Sequence, residues 1–290
     1  MIGQKEINTV GDAFKFVAKK LFHAGIDLAN LEARLLVSKT VKTSPEQIFL
    51  FPEKEISASE LKELKNSLIR RCAHEPIAYL MGEQEFWSLR FFVSSGVLIP
   101  RPESEIIVEA ILNCVPEKDI SYRILDLGTG SGCLLIALLS EYSSALGLGI
   151  DISKCSIEIA EKNSKINGFR KRTKFQLGDW TMDRDKFGGP FEIIVSNPPY
   201  VPSSQISALD PGIFNYEPIQ SLDGGVDGLS RYREILEVGL ALLSESGIIA
   251  LEIGIGQADK VIDIASSLGY NLVEVRKDLA SIPRVLTFKV

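Results

Sequence analysis

The sequence predicts an α/β fold, in which a mostly parallel β-sheet carries helices on both faces, preceded by a small all-helical N-terminal domain. From Tyr122 onward, short apolar runs of strand length alternate with segments of helical periodicity. Before Ala73, the apolar residues recur at helical spacing. Hydrophobic residues make up 45% of the 290 residues, which is enough for the cores of one large and one smaller domain.

The N-terminal helical patterns run from about residue 8 to residue 73. The first stripe at helical spacing consists of Val10, Phe14, Val17, Ala18 and Leu21. Asp27 is expected to cap a second helix, because its side chain can accept a hydrogen bond from a free backbone N–H. Ser57 and Glu60 have the spacing of a capping box ahead of a third helix. We therefore assign residues 1–80 to a helical domain.

The pattern changes between the two domains. Short aromatic and β-branched runs, Phe86-Trp87 and Phe91-Phe92-Val93, flank residues 88–90 and predict a hairpin linker over residues 81–100. Pro100-Arg101-Pro102 then interrupts regular structure, and a helix is expected from Glu103 to Leu112. The second domain spans residues 101–290.

The second domain contains seven predicted strands with helices between most of them. The strands are residues 124–127, 146–150, 174–177, 193–195, 248–253, 272–275 and 285–289. The helices are residues 133–139, 157–167, 232–243 and 258–268. Such alternation implies a mostly parallel sheet, and ligands in these sheets bind beyond the carboxyl ends of the strands, near the topological switch point.

Composition argues against several classes of protein. The formal net charge of -6 disfavours direct nucleic-acid binding, which usually requires a basic face. No metal site is predicted, because no two cysteines have C-x-x-C spacing and neither histidine pairs with another ligand type at metal spacing. The first residues lack the apolar core of a signal peptide, and no apolar run reaches the length of a membrane span. We expect a soluble cytoplasmic protein with no membrane partner.

A glycine-rich loop follows the first strand of the second domain and opens a helix. Its sequence is Gly128-Thr129-Gly130-Ser131-Gly132. Glycine allows tight bends and close approach of a ligand to the backbone. The spacing is G-x-G-x-G and differs from the G-x-G-x-x-G of dinucleotide sites, which hold a pyrophosphate. The loop therefore suits a ligand without a phosphate, which need only pack closely against the backbone.

Acidic and aromatic residues follow the next two strands. Asp151 ends the second strand, where a carboxylate can accept hydrogen bonds from both ribose hydroxyls. Asp179-Trp180 ends the third strand, and Trp180 offers a flat face for adenine while Asp179 can contact the adenine amino group. Each feature alone is also explained by an ordinary turn or by core packing. Together, at successive strand ends, they favour an S-adenosylmethionine site.

The segment Asn197-Pro198-Pro199-Tyr200 directly follows the fourth strand, at the same edge of the sheet. Two prolines fix φ and remove two backbone donors, so the loop presents carbonyl oxygens and one asparagine amide in a stiff frame. A plain turn is the alternative, since Asn-Pro is a common turn dipeptide. Its position beside the inferred cofactor favours a catalytic loop that binds a ligand bearing an NH2 group.

The chemistry of a planar amide explains why such a loop is needed. An amide nitrogen is a poor nucleophile because its lone pair is delocalised into the carbonyl. Hydrogen bonds from its two N–H groups to the Asn197 side-chain oxygen and the Pro198 carbonyl would orient the nitrogen toward the sulfonium methyl. As positive charge moves onto nitrogen, these fixed acceptors stabilise the transition state more than the ground state. Tyr200 can pack on the planar group, and no dedicated base is required.

The chain resembles the release factor glutamine methyltransferases of the HemK/PrmC type. The matching stretches are Pro76-Ile77-Ala78-Tyr79-Leu80, Glu85-Phe86-Trp87, Leu98-Ile99-Pro100-Arg101-Pro102-Glu103, 124–132 and 196–201. The resemblance implies a Rossmann-like seven-stranded catalytic domain with an antiparallel last strand, and a helical domain over residues 1–80 that recognises the substrate. It further implies that S-adenosylmethionine contacts residues 128–132, Asp151, Trp180 and Asn197.

The activity implied by the resemblance is methylation of the glutamine in the Gly-Gly-Gln motif of class I peptide chain release factors. We expect the protein to be a monomer. Arg101 and Glu103 either order the pocket, contact the partner or form an ion pair that fixes the linker. The long loop from Val201 to Leu229, which contains Glu217-Pro218, is expected to help cover the substrate. Ser281 stands where the family usually has glycine, which affects only local loop geometry.

Other functions share parts of this pattern. Enzymes that methylate the exocyclic amine of adenine in nucleic acid also use an Asn-Pro-Pro-Tyr loop, but the acidic charge of this chain counts against them. A sibling enzyme methylates a glutamine of a ribosomal protein, and the stretch from Ile99 to Glu103 favours the release-factor type. A non-catalytic adaptor is disfavoured by the intact loop residues, and a dehydrogenase is disfavoured by the glycine spacing.

Overall fold

The computed structural model describes residues 7–181 and 186–290, which form two compact units. One unit comprises the chain up to Gly82 together with Asp210–Tyr216, and the other comprises Glu83–Leu209 and Glu217–Val290. The segment Asp210–Tyr216 interrupts the second unit in sequence but packs with the first. No signal in the sequence indicated this, because a seven-residue segment carries no periodicity of its own.

The first unit consists of short helices around one apolar core. The helices are α1 (Val10–His23), α2 (Ala29–Thr40), α3 (Gln47–Leu50), α4 (Ala58–Cys72), α5 (Ile77–Met81) and α9 (Pro211–Phe214). The predicted capping box is confirmed, since Ser57 accepts from the Glu60 backbone N–H and the Glu60 carboxylate accepts from the Ser57 N–H. The cap predicted at Asp27 is wrong. Helix α2 starts one residue later, with Leu28 at the N-cap and no side-chain cap.

The second unit begins with a two-stranded antiparallel hairpin, β1 (Glu83–Phe86) and β2 (Leu89–Phe92). The hairpin itself is as predicted, but its turn lies at Trp87-Ser88 and not at residues 88–90. Both turn residues have positive φ, 53° and 58°, which is the geometry of a type I′ turn. This turn type matches the right-handed twist of the strands, but it requires two non-glycine residues to adopt the less favourable left-handed backbone conformation.

The rest of the second unit is one seven-stranded sheet with helices. The strands are β3 (Arg123–Leu127), β4 (Leu146–Asp151), β5 (Thr173–Leu177), β6 (Phe191–Ser196), β7 (Leu243–Glu252), β8 (Asn271–Lys277) and β9 (Pro283–Lys289). The helices are α6 (Glu105–Cys114), α7 (Cys133–Glu141), α8 (Lys154–Ile166), α10 (Ser230–Leu242) and α11 (Ala258–Ser267). The helix expected from Glu103 is preceded by a 3-10 turn, Pro102–Ser104, and becomes α-helical at Glu105.

The sheet confirms the predicted architecture. Its strand order is β5-β4-β3-β6-β7-β9-β8, and β9 runs antiparallel to both neighbours while the other adjacent pairs are parallel. Alternate residues of each central strand enter different cores. Ile124, Ile193 and Ile248 pack with α6 and α7, and Leu125, Ile194 and Ile249 pack with α10 and α11. This two-sided burial explains why the strands read as continuous apolar runs.

The strand order reverses between β3 and β6. From β3 the chain proceeds through β4 to β5 on one side, whereas β6 lies on the other side of β3 and leads to β7. This is the topological switch point, where the loops after β3 and β6 diverge and leave a crevice. The glycine loop follows β3 and the Asn-Pro-Pro-Tyr loop follows β6. Over the described parts of the chain, none of the helices is long and apolar enough to cross a bilayer.

Candidate active site

The glycine loop is a tight backbone turn between β3 and α7. Gly128, Gly130 and Gly132 all have positive φ, at 77°, 53° and 79°. Gly132 is the N-cap of α7, and a Cβ placed there would lie 3.2 Å from the Cβ of Ala160 in α8. A larger residue at this position would therefore combine backbone strain with a steric contact between the two helices. The Thr129 hydroxyl turns inward and donates to the buried Asp126 carboxylate at 2.7 Å.

Asp151 is held in place by the loops on either side of it. Its Oδ2 accepts from the Gly130 N–H at 2.9 Å, and its Oδ1 accepts from the Ser153 N–H at 2.8 Å. Burial raises the pKa of Asp151, and these two backbone donors partly offset that shift. Each carboxylate oxygen keeps further acceptor capacity. The group is therefore fixed in orientation and can still accept from two hydroxyls.

A cavity of about 120 Å³ lies at the switch point. The predicted site residues that line it are Gly128, Thr129, Gly130, Ser131, Asp151, Trp180, Asn197 and Pro199. Four predicted residues, Gly132, Asp179, Pro198 and Tyr200, are not among those that line it. The cavity wall also includes Ile152, Ser153 and Ser156 after β4, and Leu98 to Arg101 from the connector before α6.

A second cavity, of about 210 Å³, is also lined by Trp180. The two cavities share Ile152, Trp180, Pro199 and Gln220, and Asp179 lines only the second. The Trp180 indole N–H donates to Glu234 at 2.9 Å, so the polar edge of the ring has a partner. The ring packs in part against the core between the sheet and α10–α11, and it also lines both cavities. The Asp179 carboxylate accepts from the Thr181 backbone N–H at 2.8 Å.

The Asn197 side chain is tethered through its nitrogen. Nδ2 donates to the Ser104 hydroxyl at 3.0 Å, and across residues 7–181 and 186–290 no donor is hydrogen-bonded to Oδ1. Tyr200 is partly buried within the protein, and its packing on a substrate stays a prediction. Its ring contacts the apolar core between the sheet and α10–α11, and its hydroxyl donates to Glu252 at 3.4 Å.

Of the roles left open for Arg101, the structure shows an ion pair, formed with Glu217, and a role in ordering the pocket or contacting the partner stays a prediction. The Glu217 side chain is only 1% exposed, and its other oxygen accepts from the Ile99 backbone N–H at 3.2 Å. The pair fastens the connector before α6 to the long loop after β6. Residues on both sides of the pair, including Pro218, line the cavity, so the long loop does reach the site.

Among the residues that sequence reasoning missed are Ser104, which lines the cavity, and Glu252, which is hydrogen-bonded to Ser104. The Ser104 hydroxyl donates to the Glu252 carboxylate, and Glu252 is 3% exposed at the end of β7. Burial raises the pKa of Glu252 to about 7. One signal was present. A charged residue that ends an otherwise apolar strand requires a buried partner, and buried carboxylates are often functional.

The donor set fits S-adenosylmethionine better than a phosphorylated cofactor or a metal. A fixed carboxylate can bind a ribose, the flat Trp180 ring can bind a base, and the glycine backbone leaves room for close approach. The cationic side chain that lines the cavity, Arg101, is already paired with the Glu217 carboxylate, so it is not a free partner for a pyrophosphate. Within the residues that the structure describes, no cluster of three or more histidine, cysteine or acidic side chains could hold a metal ion.

Known proteins match this chain over nearly its whole length. A family model described as the PrmC N-terminal domain matches residues 12–82, and a methyltransferase domain model matches residues 118–237. The release factor glutamine methyltransferase of Rhodospirillum rubrum is 38% identical over 93% of this chain and 81% of its own length. The chain belongs to the release factor glutamine methyltransferase family. The resemblance found in the sequence is thus confirmed.

Other relatives agree with this membership. The release factor glutamine methyltransferase of Thermodesulfovibrio yellowstonii is 40% identical over 88% of this chain and 90% of its own. A solved methyltransferase structure from Pyrococcus furiosus is 17% identical, with a TM-score of 0.51 over 77% of this chain and 98% of that one. That likeness shows the shared Rossmann-like fold, and the family match shows that this chain is a methyltransferase of the release-factor type.

Proposed function

We propose that this protein transfers a methyl group from S-adenosylmethionine to the side-chain amide nitrogen of the glutamine in the Gly-Gly-Gln motif of class I peptide chain release factors. One observation carries the proposal. An asparagine with an uncommitted carbonyl oxygen, Asn197, lines the same cavity as the glycine loop and the fixed carboxylate of Asp151. A nitrogen bound to Asn197 would be adjacent to a cofactor bound by the loop.

In this proposal the cofactor is held by residues from three strand ends. The Asp151 oxygens would accept from the two ribose hydroxyls, and the Trp180 ring would pack on the adenine. The backbone of Gly128 and Gly130 would contact the methionine part, because neither residue has a side chain that would intervene. Bound there, S-adenosylmethionine would supply an electrophilic methyl group that passes to the substrate nitrogen as its bond to sulfur breaks.

The catalytic loop orients the incoming amide. One amide N–H donates to Asn197 Oδ1 and the other to the Pro198 carbonyl, so the face of the nitrogen is directed at the methyl carbon. As the N–C bond forms, positive charge develops on nitrogen, and both acceptors bind its hydrogens more strongly than in the ground state. The nitrogen then loses one proton to water and becomes the neutral methylated amide.

The helical unit is proposed to recognise the release factor. Large apolar side chains are exposed on it, and the most exposed are Phe22, Leu28, Leu50, Phe51 and Ile69. Exposed apolar clusters commonly mark protein interfaces. The acidic net charge of the chain also suits a protein partner better than a nucleic acid. Replacing Phe51 and Ile69 with serine should raise the KM for the release factor without changing the affinity for S-adenosylmethionine.

The decisive experiment is a transfer assay with S-adenosylmethionine labelled in its methyl group. Purified release factor, its Gln→Ala variant at the Gly-Gly-Gln motif, a ribosomal large-subunit protein and plasmid DNA are offered in parallel. We expect label only in the unmodified release factor, and mass spectrometry should place one added methyl group on the glutamine. Equal labelling of the Gln→Ala variant would refute the proposed target, and labelling of DNA would favour adenine methylation.

A further inference from the structure

A chain of hydrogen bonds leads from a buried carboxylate to the wall of the cavity. The Glu252 carboxylate accepts from the Ser104 hydroxyl, and Ser104 in turn accepts from Asn197 Nδ2 at 3.0 Å. A second donor, the Tyr200 hydroxyl, lies 3.4 Å from the other Glu252 oxygen. Ser104 is 2% exposed and Glu252 is 3% exposed, so water does not compete at the buried end of the chain.

The direction of these bonds follows from the chemistry of each group. An ionised carboxylate has no proton and can only accept, so the Ser104 hydroxyl must donate its single proton to Glu252. The Ser104 oxygen is then left as an acceptor, which selects the NH2 end of the Asn197 amide as its partner. The opposite end of the amide, Oδ1, is thereby turned away from Ser104.

We propose that Ser104 and Glu252 are positioning residues of the transfer reaction, which select the amide orientation in which Asn197 offers its carbonyl oxygen to the substrate nitrogen. The inference rests on the proposed function. Rotation of the Asn197 amide by half a turn would place its NH2 group where the substrate NH2 must donate. Two donors would then face each other, and the incoming amide would lose one of its two orienting contacts.

The arrangement makes the orientation of Asn197 depend on the ionisation of Glu252. Protonated Glu252 can donate to Ser104, which frees the Ser104 proton for Asn197 and permits the reversed orientation. The ionisable or charged groups around Glu252 are Tyr200, Tyr232, Arg284, Glu103 and Cys133. Burial dominates over their influence and places the pKa of Glu252 at about 7. Acidification below neutrality should therefore weaken the positioning of Asn197.

Three variants of the full-length protein test the inference by steady-state kinetics with release factor. Ser104→Ala should lower kcat by about 10-fold or more, as loss of one orienting contact does, with S-adenosylmethionine affinity by calorimetry within about twofold of wild type. Ser104→Thr retains the hydroxyl and should recover most of that loss. The wild-type kcat should decline between neutral and mildly acidic pH. Glu252→Gln should lower kcat at neutral pH and should not show this decline. Ser140→Ala and Glu245→Gln, which change the same groups at exposed positions, serve as matched controls.

A spectroscopic readout separates positioning from a merely structural role and does not need turnover. The side-chain 15N resonance of Asn197, identified by its absence in Asn197→Asp, should titrate near pH 7 in the wild type but not in Glu252→Gln. An unchanged kcat in Ser104→Ala, or a titration that persists in Glu252→Gln, would overturn the inference. If the wild type methylates no release factor, the proposed function fails, and the titration alone then decides the positioning role.

Discussion

Ser196, the last residue of β6, donates a hydrogen bond of 2.6 Å from its hydroxyl to the carbonyl oxygen of Leu127, the last residue of β3. Both groups are buried, and the bond joins the two strand ends at the switch point. The glycine loop begins immediately after Leu127, and Asn197 immediately follows Ser196. The bond therefore fixes the distance between the loop proposed to hold the methyl donor and the residue proposed to hold the acceptor.

Substitution of Asn197 tests the role proposed for the catalytic loop. Asn197→Ala removes one acceptor from the substrate amide and should lower kcat by ~10²-fold or more, as loss of one preorganised transition-state contact typically does. Binding of S-adenosylmethionine should persist, somewhat weakened. Asn113→Ala, an exposed position on α6, provides the matched control. Near-normal turnover of Asn197→Ala in the methyl-transfer assay would contradict the assigned role.

Asp151 is expected to bind the cofactor and to hold the glycine loop. Asp151→Ala removes the acceptor for the Gly130 and Ser153 N–H groups as well as for the ribose, so the affinity for S-adenosylmethionine should fall by about 10-fold or more. Isothermal titration calorimetry measures the effect, with Asp263→Ala on the exposed side of α11 as control. An affinity equal to that of the wild type would remove Asp151 from the site.

Fluorescence can locate the adenine, because the chain has only two tryptophans. Trp180 lines both cavities, whereas Trp87 lines neither and donates its indole N–H to Glu141 at 2.8 Å. Stacking of a base on an indole changes its emission. Addition of S-adenosylhomocysteine should alter the emission of the wild type and of Trp87→Phe, and should leave Trp180→Phe unchanged. The reverse pattern would place the base elsewhere.

The pair Arg101–Glu217 should contribute more to stability than a surface pair. Arg101→Ala leaves the Glu217 carboxylate buried with one backbone donor, and loss of a partner from a buried pair costs about 3 kcal/mol of the free energy of unfolding. The Arg90 and Glu83 side chains, which form a surface pair, are 75% and 45% exposed. Arg90→Ala breaks this pair and should lower the free energy of unfolding by less than about 1 kcal/mol. Urea denaturation followed by circular dichroism compares the two, and equal effects would refute the difference.

The raised pKa of Glu252 predicts a pH-dependent stability. The ordinary pKa of the group is 4.5 and its folded-state pKa is about 7, so between these values the folded state binds more protons than the unfolded state. Stability attributable to Glu252 is therefore complete below pH 4.5 and declines as the pH rises to about 7. Glu252→Gln does not titrate.

The stability of Glu252→Gln relative to the wild type should consequently increase across that window, by at most about 1.4 kcal/mol per pH unit, and stay constant above it. Buried Asp126 has a pKa raised to about 7 for the same reason, but it is present in both proteins and cancels in the difference. Urea denaturation at several pH values measures the trend. A difference that is flat from pH 5 to pH 7 would show that Glu252 is not a raised-pKa group.

The sequence by itself determined the elements of the fold and the local loops of the site. Apolar runs of strand length and stripes of helical period identify their elements because burial has the same periodicity as the backbone. The glycine loop and the Asn-Pro-Pro-Tyr segment can also be identified from the sequence. Glycine readily adopts the positive φ that the loop requires, and proline fixes φ in the Asn-Pro-Pro-Tyr segment. The helix cap predicted at Asp27 from the local sequence was wrong, because the helix starts one residue later.

Only the tertiary structure decided which side chains meet at the site. Ser104 and Glu252 are 148 residues apart in the chain, and Arg101 and Glu217 are 116 apart. No local pattern encodes these pairs, because they depend on the order of strands in the sheet and on where the connector and the long loop cross its edge. Tyr200 was assigned to the substrate on its residue type, and only the structure shows that its ring also packs against the core, with its hydroxyl toward a buried carboxylate.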